Sequence, residues 1–477
     1  MYSLTLIIII FDGCLLFKNS IKLKENFLRE QTSNYKMINE RPSREFFRFA
    51  FPSVFGMIAI SSAIVIDGIF IGNFVGAIPL ASVNLIMPFI TIVWGLILMF
   101  ASGSAVIAGK YLGEDKPNNA CDIFSKAFMI VFMAMILLSI ISYNFPEYIS
   151  YALGAKDDTV GMCVEYLKNI AWFYPVFGFA VLMSFFLRID GKPSYAFFGL
   201  LSTTIANILL DYIFVARLGL GLGGAALATG LAFVIGMLVV LPHFIGQFGS
   251  IKFIMPTGSW REIPRAAFNG FSEFLTETSA GLIVLVFNWI LISNVGSMGV
   301  AAFTVVDYLM YFSLLVFYGV GDGISPLVSV NFGAKKPLRI FTFFKMGIAS
   351  NLIIAVLVTL LLLFWSKEMV SIFLPDGEED ISKLAISIVS IVWPMLIFAG
   401  ANIAFISYFT GMQCAKESAL IALARSIIFP VTLILLFWYL FGFMAVFYAL
   451  PVSEICVFIM SILILKKRMP KNLISGI

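Results

Sequence analysis

The sequence predicts an all-α integral membrane protein: twelve transmembrane helices in two six-helix bundles, related by a pseudo-twofold axis along the membrane normal. Three observations predict it: a strongly apolar composition, twelve apolar runs of spanning length, and an internal repeat through about half the chain. Of 477 residues, 61% are hydrophobic and 12% charged, and the mean hydropathy is +1.01. Soluble domains carry roughly 25% charged residues. Apolar runs of about 20 residues recur from end to end and rule out a large soluble domain. No stretch has the alternating pattern of a membrane barrel, so helices must satisfy the backbone hydrogen bonds.

Residues 1–41 read as an N-terminal extension. The apolar start YSLTLIIII is interrupted by Asp12 and followed by a Lys-rich polar stretch, too short to span and without the basic flank of a signal peptide. Met37 opens MINERPSREFF directly before the first good run and offers an alternative start. An N-terminal half, 42–247, then holds runs at 46–74, 79–107, 123–144, 164–187, 194–216 and 224–247. A linker, 248–266, carries Gly, Pro and basic residues. The C-terminal half, 267–465, holds runs at 267–293, 299–325, 341–365, 383–409, 418–440 and 443–465, and a basic tail follows at 466–477. Pro52, Pro88, Pro175, Pro394 and Pro430 lie inside these runs and Pro326 directly at the end of one, where they can kink a span.

The connections alternate in charge. One set carries Lys110, Lys116, Lys126, Arg188, Lys192, Lys252, Arg261, Arg265, Lys335, Lys336, Arg339, Lys416 and the tail Lys466, Lys467, Arg468 and Lys471. The other set is uncharged, as in GNFVGAIP and SNVGSMG, or acidic, as in GAKDD and DGEED. The basic set is expected in the cytoplasm, with both termini on that side of the cell membrane. The net charge of +4 follows from such loops and is no sign of a nucleic-acid partner. The five cysteines lack metal-type spacing and His243 is the only histidine, so neither disulfides nor histidine-based metal chemistry is expected.

The repeat pairs YLGEDKP, starting at Tyr111, with NFGAKKP, starting at Asn331, a shift of 331 − 111 = 220. The same shift carries Gly76 onto Gly296, Gly103 onto Gly323 and Gly191 onto Gly411. Six spans per half is an even number, so both halves begin on the same side and the repeats are parallel, with a cavity expected between them.

Within TTIANILLDYIFV, Asn207 and Asp211 stand four residues apart, about one helical turn, and so share a face. A carboxylate inside a span is costly to desolvate and is by default a functional candidate.

Several ordered motifs then carry a resemblance: DGIFIGNFVGAIPLASVNLIMP from Asp67, GSAVIAGKYLGEDKP from Gly103, RIDGKP from Arg188, NILLDYIFV from Asn207, GGAALAT from Gly223 and GVGDGISPLVSVNFGA from Gly319. Together the chain resembles the multidrug and toxic compound extrusion (MATE) family over residues 42–465, most of all its branch of bacterial MepA-type exporters. The resemblance implies a V-shaped pair of bundles. It also implies export of cationic or amphipathic drugs in exchange for H+ or Na+, with no enzyme activity and no cofactor besides the coupling ion. Small-molecule drugs and the lipid bilayer are the implied partners, and a monomer suffices. Relatives use an acid in the first helix, Asn and Asp in the fifth and Thr in the sixth; here these are Asp67, Asn207, Asp211 and Thr229, a candidate coupling site and Na+ site.

Counted from the helix ends at 1.5 Å per residue, Asp67, Asp211 and Thr229 lie about 10, 9 and 8 Å below the outer surface, which is one level. Oxygen ligands at one depth suit a hard cation, and two desolvated carboxylates equally suit a proton. They cannot both be charged there without a counter-ion. Asp67 and Asp211 bonding only as a helix-to-helix link is the plainer reading, but Asn, Thr or Ser would serve that purpose without the ionisation penalty.

At the 220 shift Asp67 falls on Phe287 and Asp211 on Val431, so the halves differ chemically. The C-terminal half has instead Glu273 and Glu277, one turn apart, and Asp307. These are candidates for a substrate or second cation site, Glu277 lying nearest the midplane at about 15 Å from the inner end. Arg425 and Glu454 are further buried charges, counted to different depths and therefore not expected to pair. A lipid-linked oligosaccharide flippase of the same superfamily is the first alternative; it would need a basic cavity. A membrane-embedded transferase is the second, and the chain offers no His-Asp or Asp-rich constellation for it.

Overall fold

The structure, a computed structural model, describes residues 36–246, 248–371 and 379–470. The expected extension lies outside them up to residue 35, as does the tail from residue 471.

Among the described residues every regular element is helical. In the N-terminal half these are α1 (Pro42–Phe70), α2 (Ala77–Gly113), α3 (Pro117–Asn144), α4 (Pro146–Ala152), α5 (Asp157–Ala171), α6 (Tyr174–Ile189), α7 (Pro193–Asp211) and α8 (Gly221–Ile245). The C-terminal half has α9 (Glu262–Asn294), α10 (Ser297–Gly333), α11 (Pro337–Phe364), α12 (Ser366–Ser371), α13 (Glu379–Val392), α14 (Met395–Gly411), α15 (Ala415–Leu423), α16 (Phe429–Phe441) and α17 (Ala449–Lys467). Among the described residues ten spans are long and apolar enough to cross a membrane, and twelve result when α5 with α6 and α13 with α14 each count as one span bent by 54°. The chain is a multi-pass membrane protein. Both bends fall where the sequence reads WFYP and VWP, since Pro175 and Pro394 remove a helical N–H bond.

Local chemistry fixes the ends. Proline opens α1, α3, α4, α7 and α11, where its missing N–H costs nothing and its φ is already helical. α2 and α10 begin after Gly76 at φ 126° and Gly296 at φ 75°, left-handed backbone that glycine adopts without strain. Both helices run 37 residues, about 55 Å at 1.5 Å each, well past a core of roughly 30 Å. The apolar count stopped at 107 and 325 because small and polar residues follow, and Pro326 with them, yet α10 runs on through Pro326 and both helices end only at the turn ahead of Pro117 or Pro337.

The repeat is visible in three dimensions. A Cβ on Gly113 would meet Val330 O at 2.0 Å, and a Cβ on its mate Gly333 would meet Lys110 O at 2.0 Å, so α2 and α10 cross symmetrically about the pseudo-twofold axis. One step outward, Gly103 and Gly270 bring α2 against α9, as Gly323 and Ala50 bring α10 against α1. One detail corrects the constant shift. Gly191, at φ 73°, occupies the left-handed position that follows α6, and the residue in that position after α14 is Gln413, at φ 58°, not Gly411. The bent spans have slipped by two residues between the halves.

All these close contacts lie in the basic halves of the helices. Farther along, a Cβ on Gly68 or Gly281 would meet nothing within 4 Å. The two halves thus pack against each other at the basic end, whereas at the other end each half is packed around its own core. The first helix straddles the division: Phe46, Phe49 and Ala50 are buried in a core made by α10, α11 and α14, whereas farther on α1 packs along α7. Met133, Leu137 and Ile140 of α3 are exposed, an apolar face suited to lipid.

Candidate functional site

Asp67 and Asp211 each precede a π-helical turn, Ile71–Val75 after α1 and Tyr212–Arg217 after α7. The two π turns pack against one another and against α8. Such turns widen the backbone locally and recur at functional sites. Here they close two helices over the same buried cluster, in which Ile71, Val215, Tyr166 and Tyr174 are almost fully covered.

The structure brings the Asp67 and Asp211 carboxyl groups within hydrogen-bonding reach of each other. Asp67 Oδ1 and both Asp211 oxygens are buried, and no donor reaches them. Two carboxylates in contact need a shared proton or a cation between them, because each alone presents only acceptors. One turn earlier on α7, Asn207 Nδ2 lies 3.5 Å from Thr229 Oγ1 of α8, at the long limit for a hydrogen bond. With its Nδ2 turned to Thr229, Asn207 keeps its carbonyl oxygen as an acceptor. Carboxyl, amide and hydroxyl oxygens are the ligand types these four residues offer, a chemistry that fits a proton or a hard monovalent cation. No group of three or more His, Cys, Asp or Glu side chains suited to a metal occurs among the described residues.

Sequence reasoning missed Tyr166. It lies on α5, 6% exposed, in electrostatic contact with both Asp67 and Asp211. Its neighbours Glu165 and Lys168 point elsewhere: Glu165 accepts from Gly223 N at 2.7 Å, and Lys168 pairs with Glu147 at 3.8 Å. A tyrosine on the apolar side of an amphipathic helix was the available signal.

The other candidate acids are not part of this cluster. Glu273 and Glu277 project from α9 and influence one another, and Glu273 is also within electrostatic reach of Asp322 on α10. Asp307 is exposed on α10, near Tyr311, which also feels Glu277. Asp307, Tyr311, Tyr318 and Asp322 recur at helical spacing, so they form one stripe along α10. At its basic end Asp322 receives a 2.9 Å hydrogen bond from Arg188 of α6, an ion pair that joins the two halves of the molecule.

Arg425 and Glu454 correct the depth count. They pair at 3.0 Å, with Asn402 donating to Glu454 at 2.7 Å and Arg425 donating to the Tyr318 hydroxyl at 2.8 Å. The helix carrying Arg425 begins at Ala415, ahead of the run counted from 418, which sets Arg425 about 4.5 Å deeper than the count gave; Arg425 itself lies in a third π turn, Ala424–Ile428. His243, the lone histidine, contacts Asp190 at 2.7 Å, and Asp190 also accepts from Ser250 N.

Known proteins resemble the chain throughout. A multidrug export protein MepA of Staphylococcus saprophyticus is 23% identical over 416 residues, covering 85% of this chain and 89% of that protein. Its namesake in Staphylococcus aureus is 24% identical over 412 residues with the same coverage. Among solved structures, an outward-facing multidrug resistance transporter of the MATE family superposes with a TM-score of 0.87 at 19% identity, covering 93% of this chain and 98% of that one. These relatives are named as exporters and transporters, not enzymes. The sequence profile of the MatE family matches residues 52–213 and 272–450, and with that the chain belongs to the multidrug and toxic compound extrusion family.

Proposed function

We propose that the protein exports cationic or amphipathic small molecules across the cell membrane in exchange for H+ or Na+, as a monomer with both termini in the cytoplasm. The observation that carries the reading is the buried Asp67 and Asp211 pair, three of whose oxygens have no donor. A site so built holds its lowest energy only with a proton or cation present, and it sits where α1 and α7 end in deformable π turns. Loading the pair draws α1 toward α7 and α8. Because the first turns of α1 are buried in the opposite half, that movement bears on both halves at once. Packing of the two halves against each other at the basic end corresponds to one state of alternating access, and the reverse arrangement is the other. Coupling requires the cation to bind the two states unequally.

Glu273, Glu277 and Asp307, away from the carboxyl pair, favour cationic cargo between the halves. A flippase for lipid-linked oligosaccharides would need donors for a pyrophosphate there. Arg188 and Arg425 are already engaged by Asp322 and Glu454.

The test is counterflow in proteoliposomes, with ethidium as cargo, under an imposed pH gradient or an imposed Na+ gradient. Uphill ethidium movement under one of them is expected. Movement under neither overturns antiport, and loss of gradient dependence without loss of protein in Asp67→Asn and Asp211→Asn assigns the coupling to this pair.

A further inference from the structure

The segment that joins the two halves, residues 248–261, lies back along the first three turns of α3. Cys121 Sγ donates to Ser250 O at 3.2 Å, Ile254 N to Ser125 Oγ at 3.0 Å, Thr257 N to Asp122 Oδ1 at 2.6 Å and Lys126 Nζ to Ser259 O at 3.1 Å. The Phe253 ring packs on Phe124 at 4.8 Å and on Phe128 at 4.9 Å between centroids. Phe128 is 128 − 117 = 11 residues into α3, roughly 16 Å along its axis. The strap therefore lies alongside the start of α3, a span apolar enough to cross the membrane, and does not loop away from it.

Its outer side is apolar. Met255 is 86% exposed, and Phe248, Ile254 and Trp260 are also exposed. Beside them opens a cleft of about 620 Å³ lined by Asn118, Asn119, Lys126, Arg261, Glu262 and Arg265. The acids at this cleft have internal partners: Asp122 holds Lys126 and Thr257 N, and Glu262 accepts the Tyr111 hydroxyl. Arg261, Arg265 and the two asparagines are exposed donors around it.

We propose that this strap is a lipid-reading element: Met255 and Trp260 enter the bilayer interface, and the cleft takes the phosphate head of an anionic phospholipid. Exposed apolar side chains beside basic ones are the composition of an interfacial anchor, and the continuity of the strap with α3 places the cleft where a headgroup lies. A soluble anion would use the donors but leave Met255 and Trp260 in water.

The experiment uses the whole protein in phosphatidylcholine vesicles carrying either brominated phosphatidylglycerol or brominated phosphatidylcholine. Quenching of Trp260 is taken as the difference between the protein and its Trp260→Phe variant. Stronger quenching by the brominated phosphatidylglycerol is expected, with its apparent affinity falling about fivefold for each of Arg261→Gln and Arg265→Gln. Lys466→Gln with Lys467→Gln removes two charges from the same end of the molecule and should leave the preference intact. Equal quenching by the two lipids, or the same loss in the tail variant, overturns the site. The readout does not involve transport, so it is independent of whether the protein proves to be an antiporter.

Discussion

Two buried carboxyl sites, one in each half, differ in a single respect. Glu454 and Asp211 are both enclosed by helices and both belong to a cluster containing a π turn. Glu454 has Arg425 at 3.0 Å and an asparagine donor, whereas no donor reaches either oxygen of Asp211. A buried carboxylate that carries its own cation is electrically complete and fixes a packing arrangement. One without must take a proton or ion from outside, and so its structure depends on what is dissolved there. The two halves descend from one repeated plan, but of these two sites only the one at Asp211 leaves its charge unbalanced.

The largest effect should come from breaking the complete site. Arg425→Met strands Glu454 in a dry interface, which costs about 3 to 5 kcal/mol for a buried pair losing one member. Thermal unfolding in detergent would show it as a large fall in midpoint, and Arg425→Met combined with Glu454→Leu should recover most of the loss. If the double variant is no better than the single one, the pair is not an isolated electrostatic unit.

The incomplete site should behave the opposite way. Asp211→Asn removes a carboxylate that has no donor to lose, so the unfolding midpoint should hold steady or rise, by about 1 kcal/mol in stability. Uphill transport should nevertheless fall at least about a hundredfold, about 3 kcal/mol on the rate. A destabilised Asp211→Asn protein with its transport intact would turn the contrast around.

Between these extremes stands the Arg188 and Asp322 pair, whose side chains are 5% and 20% exposed and belong to different halves. Partial exposure lowers its worth, to about 2 kcal/mol. Asp322→Asn should then shift the equilibrium between basic-end-closed and basic-end-open molecules about 30-fold toward opening. Spin-label distances across the basic end would measure it, and a charge swap, Arg188→Asp with Asp322→Arg, should restore closure.

What could be read in the sequence follows a physical line. Spans, bends at Pro175 and Pro394 and the pairing of Gly113 with Gly333 depend on hydropathy and local backbone rules, which are properties of short segments. The meeting of Asp67 with Asp211 was reachable by counting from the helix ends, because a π turn separates each of them from its end and the error is shared. The same counting failed for Arg425, because its helix begins at Ala415, ahead of the apolar run at 418. Arg188 with Asp322, and Tyr166 with the carboxyl pair, join distant segments, 134 residues apart in the first case, with no regular spacing, and only packing decides them.

The smallest effect belongs to the edge of the incomplete site. Asn207 and Thr229 meet at 3.5 Å, a contact too long to hold much energy as it stands. If the pair serves as the remaining oxygen ligands of a cation, shortening on binding is what gives it value, and Thr229→Ala should then weaken the coupling ion about fivefold, near 1 kcal/mol, without moving the unfolding midpoint. A proton needs no such ligands and would leave Thr229→Ala close to the parent. Measuring the half-saturating Na+ concentration and the pH dependence of ethidium efflux in this one variant therefore separates the two ions. A shift in the Na+ curve alone identifies a coordinated metal ion, and an unchanged pair of curves leaves the proton held by Asp67 and Asp211.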